Sequence, residues 1–372
     1  MRYGCRPPWI LPASEHLAQQ VLKRGKDMIN HIKDKEFSVL GIGEVMLRLS
    51  PVGKERISYS EAFEKKAGGS ELNVVSGISM LGLRTGIITK LPGNEIGKFI
   101  KHKIRYSGTS DDYITYDYSP AARLGIYYYE SGAYPRQSVV SYDRRGSAFT
   151  TFSPSELPES IYSSANLFHT SGITLALDKR LRGGVLEMME RFKREGTLIS
   201  FDVNYRAALW DEADAKAAVL EVLPLVDVLF ISEETSRKML GMKGSLKEIH
   251  RALSEKYQGL EIIASTKRRP ITPNKHDFSS LVYDCKEKLH YSEPEYRKID
   301  VVDRIGSGDA YVAGAIFALL KFRSVEKMAS YGNAMAALKN TIPGDTAQCD
   351  LADVERTIKN HTEKSSASEM VR

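Results

Sequence analysis

From residue 167 onward the chain alternates short apolar, β-branched runs with longer amphipathic stretches, and this alternation restricts the fold more than any other feature. Candidate strands cover residues 167–170, 198–203, 226–231 and 260–265, with helical patterns at 179–194, 211–223, 234–240 and 245–257. Strands joined by helices run parallel, and right-handed crossovers place helices on both faces of the sheet. Upstream, residues 37–47 form an apolar run broken only by small residues and Glu44, as expected of one buried parallel strand. A helical pattern follows Gly68-Gly69-Ser70 and stops at Gly82. Residues 85–89 read as a second strand and 96–106 as a second helix. The fold class is therefore α/β, with a mainly parallel central sheet sandwiched by helices.

Residues 113–118, 123–129 and 138–142 behave differently. They alternate, are rich in tyrosine, and are separated by Ser119-Pro120 and Ser131-Gly132, which is a hairpin signature. A small antiparallel sheet outside the α/β body is expected, drawn from about 48–63 and 113–151. Residues 280–283 and 288–291 read as two late antiparallel strands, and 308–322, 325–340 and 352–360 as helices. Residues 1–35, with Pro7, Pro8 and Pro12, lack the roughly 7–15-residue apolar core of a secretory signal. They are expected to lie outside a single domain spanning 36–360, with 361–372 a disordered tail.

Composition removes several function classes. No run approaches the ~18 consecutive apolar residues of a membrane span. The 53 basic and 47 acidic residues leave a charge of +6, spread too thinly to mark a nucleic-acid surface. The 3 cysteines, Cys5, Cys285 and Cys349, form neither a disulfide framework nor a metal cluster, and a reducing, cytoplasmic setting is expected. The 8 histidines show no i,i+4 pair, against a zinc hydrolase. Gly93-Asn-Glu-Ile-Gly97-Lys98-Phe99 is one residue short of a phosphate-binding P-loop and lacks its hydroxyl. Gly41-x-Gly43 carries Met46 where a dinucleotide fingerprint has its third glycine.

The segment richest in chemistry is Asp303-Arg-Ile-Gly306-Ser307-Gly308-Asp309, at the start of a small-residue helix. Glycines there let the backbone turn tightly and aim N–H groups at an anion, either a phosphate or an oxyanion formed during reaction. Asp309 in the first helical turn would repel a bound phosphate unless it serves the nucleophile by accepting a hydroxyl proton. The same residue type is also a common N-terminal cap, and spacing does not choose between the two.

Asp303-x-x-Gly306-x-Gly308-Asp309 resembles the C-terminal signature of the ribokinase-like, PfkB-type carbohydrate kinases, and Ala67-Gly-Gly69-Ser-Glu-Leu-Asn73 their N-terminal one. Val75 departs from the second pattern, which usually has a small residue there. The resemblance runs from about 37 to 354 and implies that the tyrosine-rich insertion is a lid over the sugar. Ser200-Phe-Asp-Val-Asn-Tyr-Arg206, Tyr142-Asp-Arg144-Arg-Gly and His169-Thr-Ser-Gly-Ile173-Thr are similar to 2-keto-3-deoxygluconate kinases in particular.

That resemblance implies ATP-dependent phosphorylation of a sugar acid, with Mg²⁺. It implies Asp309, Gly306, Ser307 and Gly308 at the chemistry, and Gly69, Asn73, Tyr127, Tyr142, Arg144, Ile173 and Arg206 around the sugar. Ser265, Arg268, Gly306, Gly308 and Asn333 are implied at ATP. It also implies a homo-oligomer formed through the lid sheet, and no nucleic-acid or membrane partner. Paired guanidiniums suit a carboxylate, which neutral sugars lack, whereas tyrosines in such strands commonly pack hairpins. Arg144 beside Arg145 also fits a solvated lid charge, and Arg268 beside Arg269 a solvated basic loop. In place of the family's usual Asn-x-x-Glu, the chain has Ser232-Glu-Glu-Thr235, leaving Glu233 or Glu234 to reach the metal through water. Residues 265–274 replace a Gly-rich turn. The other readings left open are a kinase for fructose, ribose or a keto-deoxy inositol derivative, and a non-catalytic sugar sensor, for which a base at Asp309 has no use.

Overall fold

The computed structural model describes residues 32–363. The chain opens with β1 (Phe37–Ile42), β2 (Met46–Pro51), β3 (Phe63–Gly68) and helix α1 (Ser70–Met80). There follow β4 (Thr85–Pro92), α2 (Glu95–Tyr106), β5 (Ile114–Asp117), β6 (Gly125–Glu130) and β7 (Val139–Asp143). The middle runs β8 (Ala165–Ser171), α3 (Gly172–Ala176), α4 (Lys179–Arg194), β9 (Leu198–Asp202), α5 (Glu212–Val222), β10 (Val228–Phe230), α6 (Glu233–Lys238) and α7 (Leu246–Lys256). Last come β11 (Ile262–Thr272), β12 (Lys275–Asp284), β13 (Leu289–Tyr291), β14 (Tyr296–Asp300), α8 (Ser307–Phe322), α9 (Glu326–Asn340) and α10 (Leu351–Thr362).

Ten strands form the main sheet in the order β13-β12-β11-β10-β9-β8-β1-β4-β5, with β14 pairing β12. The pairs from β5 through β1 to β11 are all parallel, and β12 pairs antiparallel with β11, β13 and β14. Side-chain alternation splits the core in two. Val39, Leu167, Val228 and Ile262 enter the cluster that α1, α8 and α9 cover. Leu40, Phe168, Leu229 and Ile263 enter the opposite cluster, covered by α4 and α5. The expected α/β sandwich is the one observed.

A second sheet of four strands, in the order β3-β2-β6-β7, stands apart. Its central pair, β2 and β6, is parallel, and the outer pairs are antiparallel. Here the sequence reading needs three corrections. The sheet is mixed and not antiparallel throughout, because β6 returns to β2 by a crossover through β4, α2 and β5. Residues 37–47 are two strands in two sheets, because the chain leaves β1 at Gly43 and the buried Glu44 carboxylate, bonded to Arg144 and Ser147, holds the crossing. Residues 113–118 belong to the main sheet, where β5 pairs with β4, because an edge strand and a hairpin strand share one alternating pattern.

At the N-terminus, residues 1–31 lie outside the described residues, but the segment just before β1 packs on the body. Ile32 meets the core and Lys35 Nζ donates to Ala165 O at 2.9 Å. Likewise the expected tail begins too early: α10 continues to Thr362, and the His361 ring stacks on Tyr296 with centroids 3.7 Å apart. Residues 364–372 lie outside the described residues.

Candidate active site

The C-terminal ends of β1, β8, β9, β10 and β11 lie along one edge of the sheet, the edge at which open α/β sheets bind ligands. A cleft of about 420 Å³ opens there, lined by Asp202, Asn204, Arg206, Glu234, Thr266 and Gly308 among others.

Helix α8 brings its N-terminus to this cleft. Gly306 precedes it at φ +78°, and any side chain there would collide with the main-chain oxygen of Asp345. The amides of the first turn have no intrahelical acceptor. A Cβ added to Gly308 would meet nothing within 4 Å, so this turn is open to a ligand. Asp309 follows on the same turn. Its Oδ1 accepts from Ser70 Oγ at 2.8 Å and its Oδ2 from Asn73 Nδ2 at 2.7 Å. Asn204 Nδ2 in turn donates to Ser70 Oγ at 3.0 Å. Burial pushes the Asp309 carboxyl above the usual range, while the bonds from Asn73 and Ser70 and the charge of Arg206 pull the other way. A fixed, more basic carboxylate beside open amides can take a proton from a hydroxyl that attacks a bound phosphoryl group.

Of the residues expected around a sugar, Gly69 caps α1 at φ 150°, packed against Glu44 O, and so sets the helix turn that carries Ser70 and Asn73. Asn73 itself is bonded to Asp309. Ile173 is the second residue of α3, its N–H bonded to the capping Ser171 Oγ at 3.2 Å. Tyr127 is buried, and its hydroxyl donates to Asp345. Tyr142 is 51% exposed and lies 5.8 Å from the Tyr127 ring.

The two arginines differ. Arg144 spends Nε and Nη2 on Glu44, with Nε at 2.8 Å, so its fork is already filled by a carboxylate of this chain. Arg206 donates only to its own loop, to Tyr205 O at 3.1 Å and Asn204 O at 3.4 Å, and pairs with no carboxylate among the described residues.

On the nucleotide side, two expectations are corrected. The Ser265 hydroxyl is turned into the core, donating to Ile231 O at 2.6 Å and meeting His250 Nε2 at 2.8 Å. Asn333 is fully buried within α9, with no hydrogen-bond partner for its amide among the described residues. Partial burial, then the charges of Arg304 and Arg206, push the Arg268 guanidinium below its usual range. Its neighbour Arg269 is committed to Asp277.

Magnesium at a nucleotide takes oxygen donors, commonly one or two carboxylates with phosphate and water. Glu234 and Asp202, both on the cleft wall, fit that donor set. Glu233 is bound to Arg237 on the exposed face of α6, and Glu234 also accepts from Lys238 Nζ at 2.6 Å.

Sequence reasoning did not select Ser70, Asn204, Asp202, Glu71 or Glu44. Glu71, fully buried, accepts from Ser171 N, Ser171 Oγ and Thr174 Oγ1, tying α1 to the end of β8. Asn204 sits at φ 38°, a conformation that asparagine tolerates. An Asp-x-Asn pair beginning at the last residue of the β9 strand was the available signal.

A model of the pfkB family carbohydrate kinases matches residues 37–350. The chain is 35% identical over 317 residues to a 2-dehydro-3-deoxygalactonokinase of Haloferax volcanii, covering 85% of this chain and 95% of that protein. The crystal structure of a 2-dehydro-3-deoxygluconokinase from Thermotoga maritima superposes with a TM-score of 0.82 at 31% identity, over 87% of this chain and 98% of that one. A putative ribokinase II from Escherichia coli in complex with ATP and Mg²⁺ shares the fold, with a TM-score of 0.74 at 20% identity over 87% of this chain and 100% of that one. With the Gly306 turn, the Asp309 cluster and these matches together, the chain belongs to the pfkB family of carbohydrate kinases.

Proposed function

We propose that this chain transfers the terminal phosphoryl group of ATP to the terminal hydroxyl of 2-keto-3-deoxygluconate, giving 2-keto-3-deoxy-6-phosphogluconate. The observation that carries the substrate class is Arg206: an uncommitted guanidinium on the cleft wall, electrostatically coupled to Asp309. A sugar acid brings the carboxylate that such a group binds, and a neutral ketose does not. The names of the relatives in Haloferax and Thermotoga support the same class.

In this reading Asp309 accepts the proton as the sugar oxygen attacks phosphorus and the bond to ADP breaks. The first-turn amides of α8 stabilise charge on the transferring group. Gly306 sets their turn, in which Ser307 N–H also reaches Arg304 O at 3.3 Å while Gly308 lies open. Glu234 and Asp202 would hold Mg²⁺, which when bound neutralises phosphate charge. Arg268 at the rim suits the outer phosphates. Arg144, held by Glu44, keeps one nitrogen for the sugar, so the larger share of carboxylate binding falls to Arg206. The small sheet acts as the lid, and a second copy of the chain covers it: Tyr59 and Tyr134 are each 80% exposed. Light scattering at the dimer mass, lost on replacing both tyrosines by serine, tests that assembly.

Replacing Arg206 by Met tests the substrate class. A charge-assisted contact contributes ~1.5–3 kcal/mol, so KM for the sugar acid should rise on the order of 10–100-fold while KM for ATP holds. Equal losses toward fructose and the acid would leave Arg206 with a role in the fold only.

A further inference from the structure

Asp345 lies between β3, β2, β6 and the α8 turn, and the chemistry described so far gives it no task. It is 4% exposed, yet every face of it is used. Its Oδ1 accepts from Arg48 Nη1 of β2 at 2.7 Å, and its Oδ2 accepts from the Tyr127 hydroxyl of β6. A side chain on Gly68, the last residue of β3, would collide with Oδ2. On the other side, its main-chain oxygen packs against the Cα of Gly306 closely enough to forbid any side chain there.

Arg48 makes a second connection. Its Nη2 donates to Asp303 Oδ2 at 2.6 Å, and the same carboxylate accepts from Ile305 N at 3.0 Å and Gly344 N at 2.9 Å. Lys339 Nζ, also buried, fixes the Asp303 carbonyl at 3.0 Å. The residues leading into the phosphate-binding turn are thus clasped between two buried carboxylates, and both carboxylates are tied to the small sheet. Contacts this direct, in a packed interior, transmit displacements instead of absorbing them.

We propose that Asp345 is a positioning residue that joins the seating of the small sheet over the sugar to the geometry of the phosphate-binding turn. When the sheet sits correctly, Arg48 and Tyr127 hold Asp345, and Asp345 holds Gly306 where the first-turn amides face the transferring group. When the sheet is displaced, the turn loosens and transfer slows. Sugar occupancy and readiness for transfer are then one condition, which limits ATP hydrolysis without sugar. This role rests on the kinase reading above.

Asp345→Asn keeps the shape and an acceptor for Arg48 but removes the charge, and Tyr127→Phe removes one hydroxyl. In Asp345→Asn, kcat should fall by about 10–100-fold, with both KM values within about threefold. Tyr127→Phe should show the same pattern at smaller size, and the double variant should be no slower than Asp345→Asn, since both act through one contact. The ratio of ADP formed to sugar phosphate formed should rise above one in each variant. A purely structural carboxylate would lower Tm and leave kcat and that ratio unchanged, which overturns the proposal. So would losses that multiply in the double variant, or a Tyr127→Phe effect confined to sugar KM. Wild-type protein that phosphorylates no sugar acid would end the functional reading instead. If Asp345→Asn does not fold, Tyr127→Phe alone decides.

Discussion

Asp309 is held by Ser70 and Asn73 from a helix far away in sequence, so its geometry does not depend on substrate. Asp309→Asn retains those neighbours and removes the proton acceptor; kcat should fall by roughly 10²–10⁴ while ATP binding, followed by calorimetry, survives. Asp202 offers a second test. Burial first, then the charge of Asp309, pushes it from an ordinary 3.8 up to about 7, against the pull of Arg206. Between those values the folded chain keeps a proton that the unfolded chain has lost. Ionising Asp202 therefore costs stability, and that cost grows as pH rises through the window. Asp202→Asn should melt several degrees above wild type at pH 8 and level with it at pH 4; a gain independent of pH would contradict the assignment. Asp309 was legible in the sequence because it sits beside two glycines at a helix start. Ser70, which bonds it, and Asn204, which in turn bonds Ser70, were not, because nothing local marks a hydroxyl or an amide that meets its partner across the fold. The ion pair of Arg144 was hidden for the same reason: Glu44, its partner, lies 100 residues upstream.

The start of α8 joins sequence to function most closely among the elements. Its glycines are not equivalent: Gly306 is required by the fold, through its φ of +78° and its contact with Asp345, whereas Gly308 has open space around it. Ala is the better helix former by about 0.5–1 kcal/mol, so Gly308→Ala should hold or raise Tm. Its methyl group would stand where phosphate must approach, and kcat/KM for ATP should fall at least ~10-fold. Unchanged kinetics would mean the ligand does not approach this turn. The strands were legible where helices separate them, since apolar runs buried on both faces have no other economical use. They were illegible where two sheets exchange a strand: residues 37–47 stay apolar while the chain leaves one sheet for another, and the reason, Glu44 with its partners, is tertiary.

At the scale of the described residues, a parallel sheet supplies the binding edge, and a small sheet is tied to it through Arg48 and Tyr127. Residues 32–35 anchor to the body through Ile32 and Lys35, so a chain beginning at Met28 should melt with the full-length protein. One beginning at Phe37 should melt measurably lower; equal Tm values for all three would show that this anchor contributes nothing. No helix among the described residues is long and apolar enough to cross a membrane. The central claim concerns the identity of the acceptor. It is tested most directly by steady-state ADP release, with kcat/KM measured for 2-keto-3-deoxygluconate, its galacto epimer, fructose and ribose under one set of conditions. The account predicts that the keto-deoxy acids exceed the neutral sugars by on the order of 100-fold, the factor a carboxylate–guanidinium contact supplies. A neutral sugar matching or exceeding the acids would contradict it.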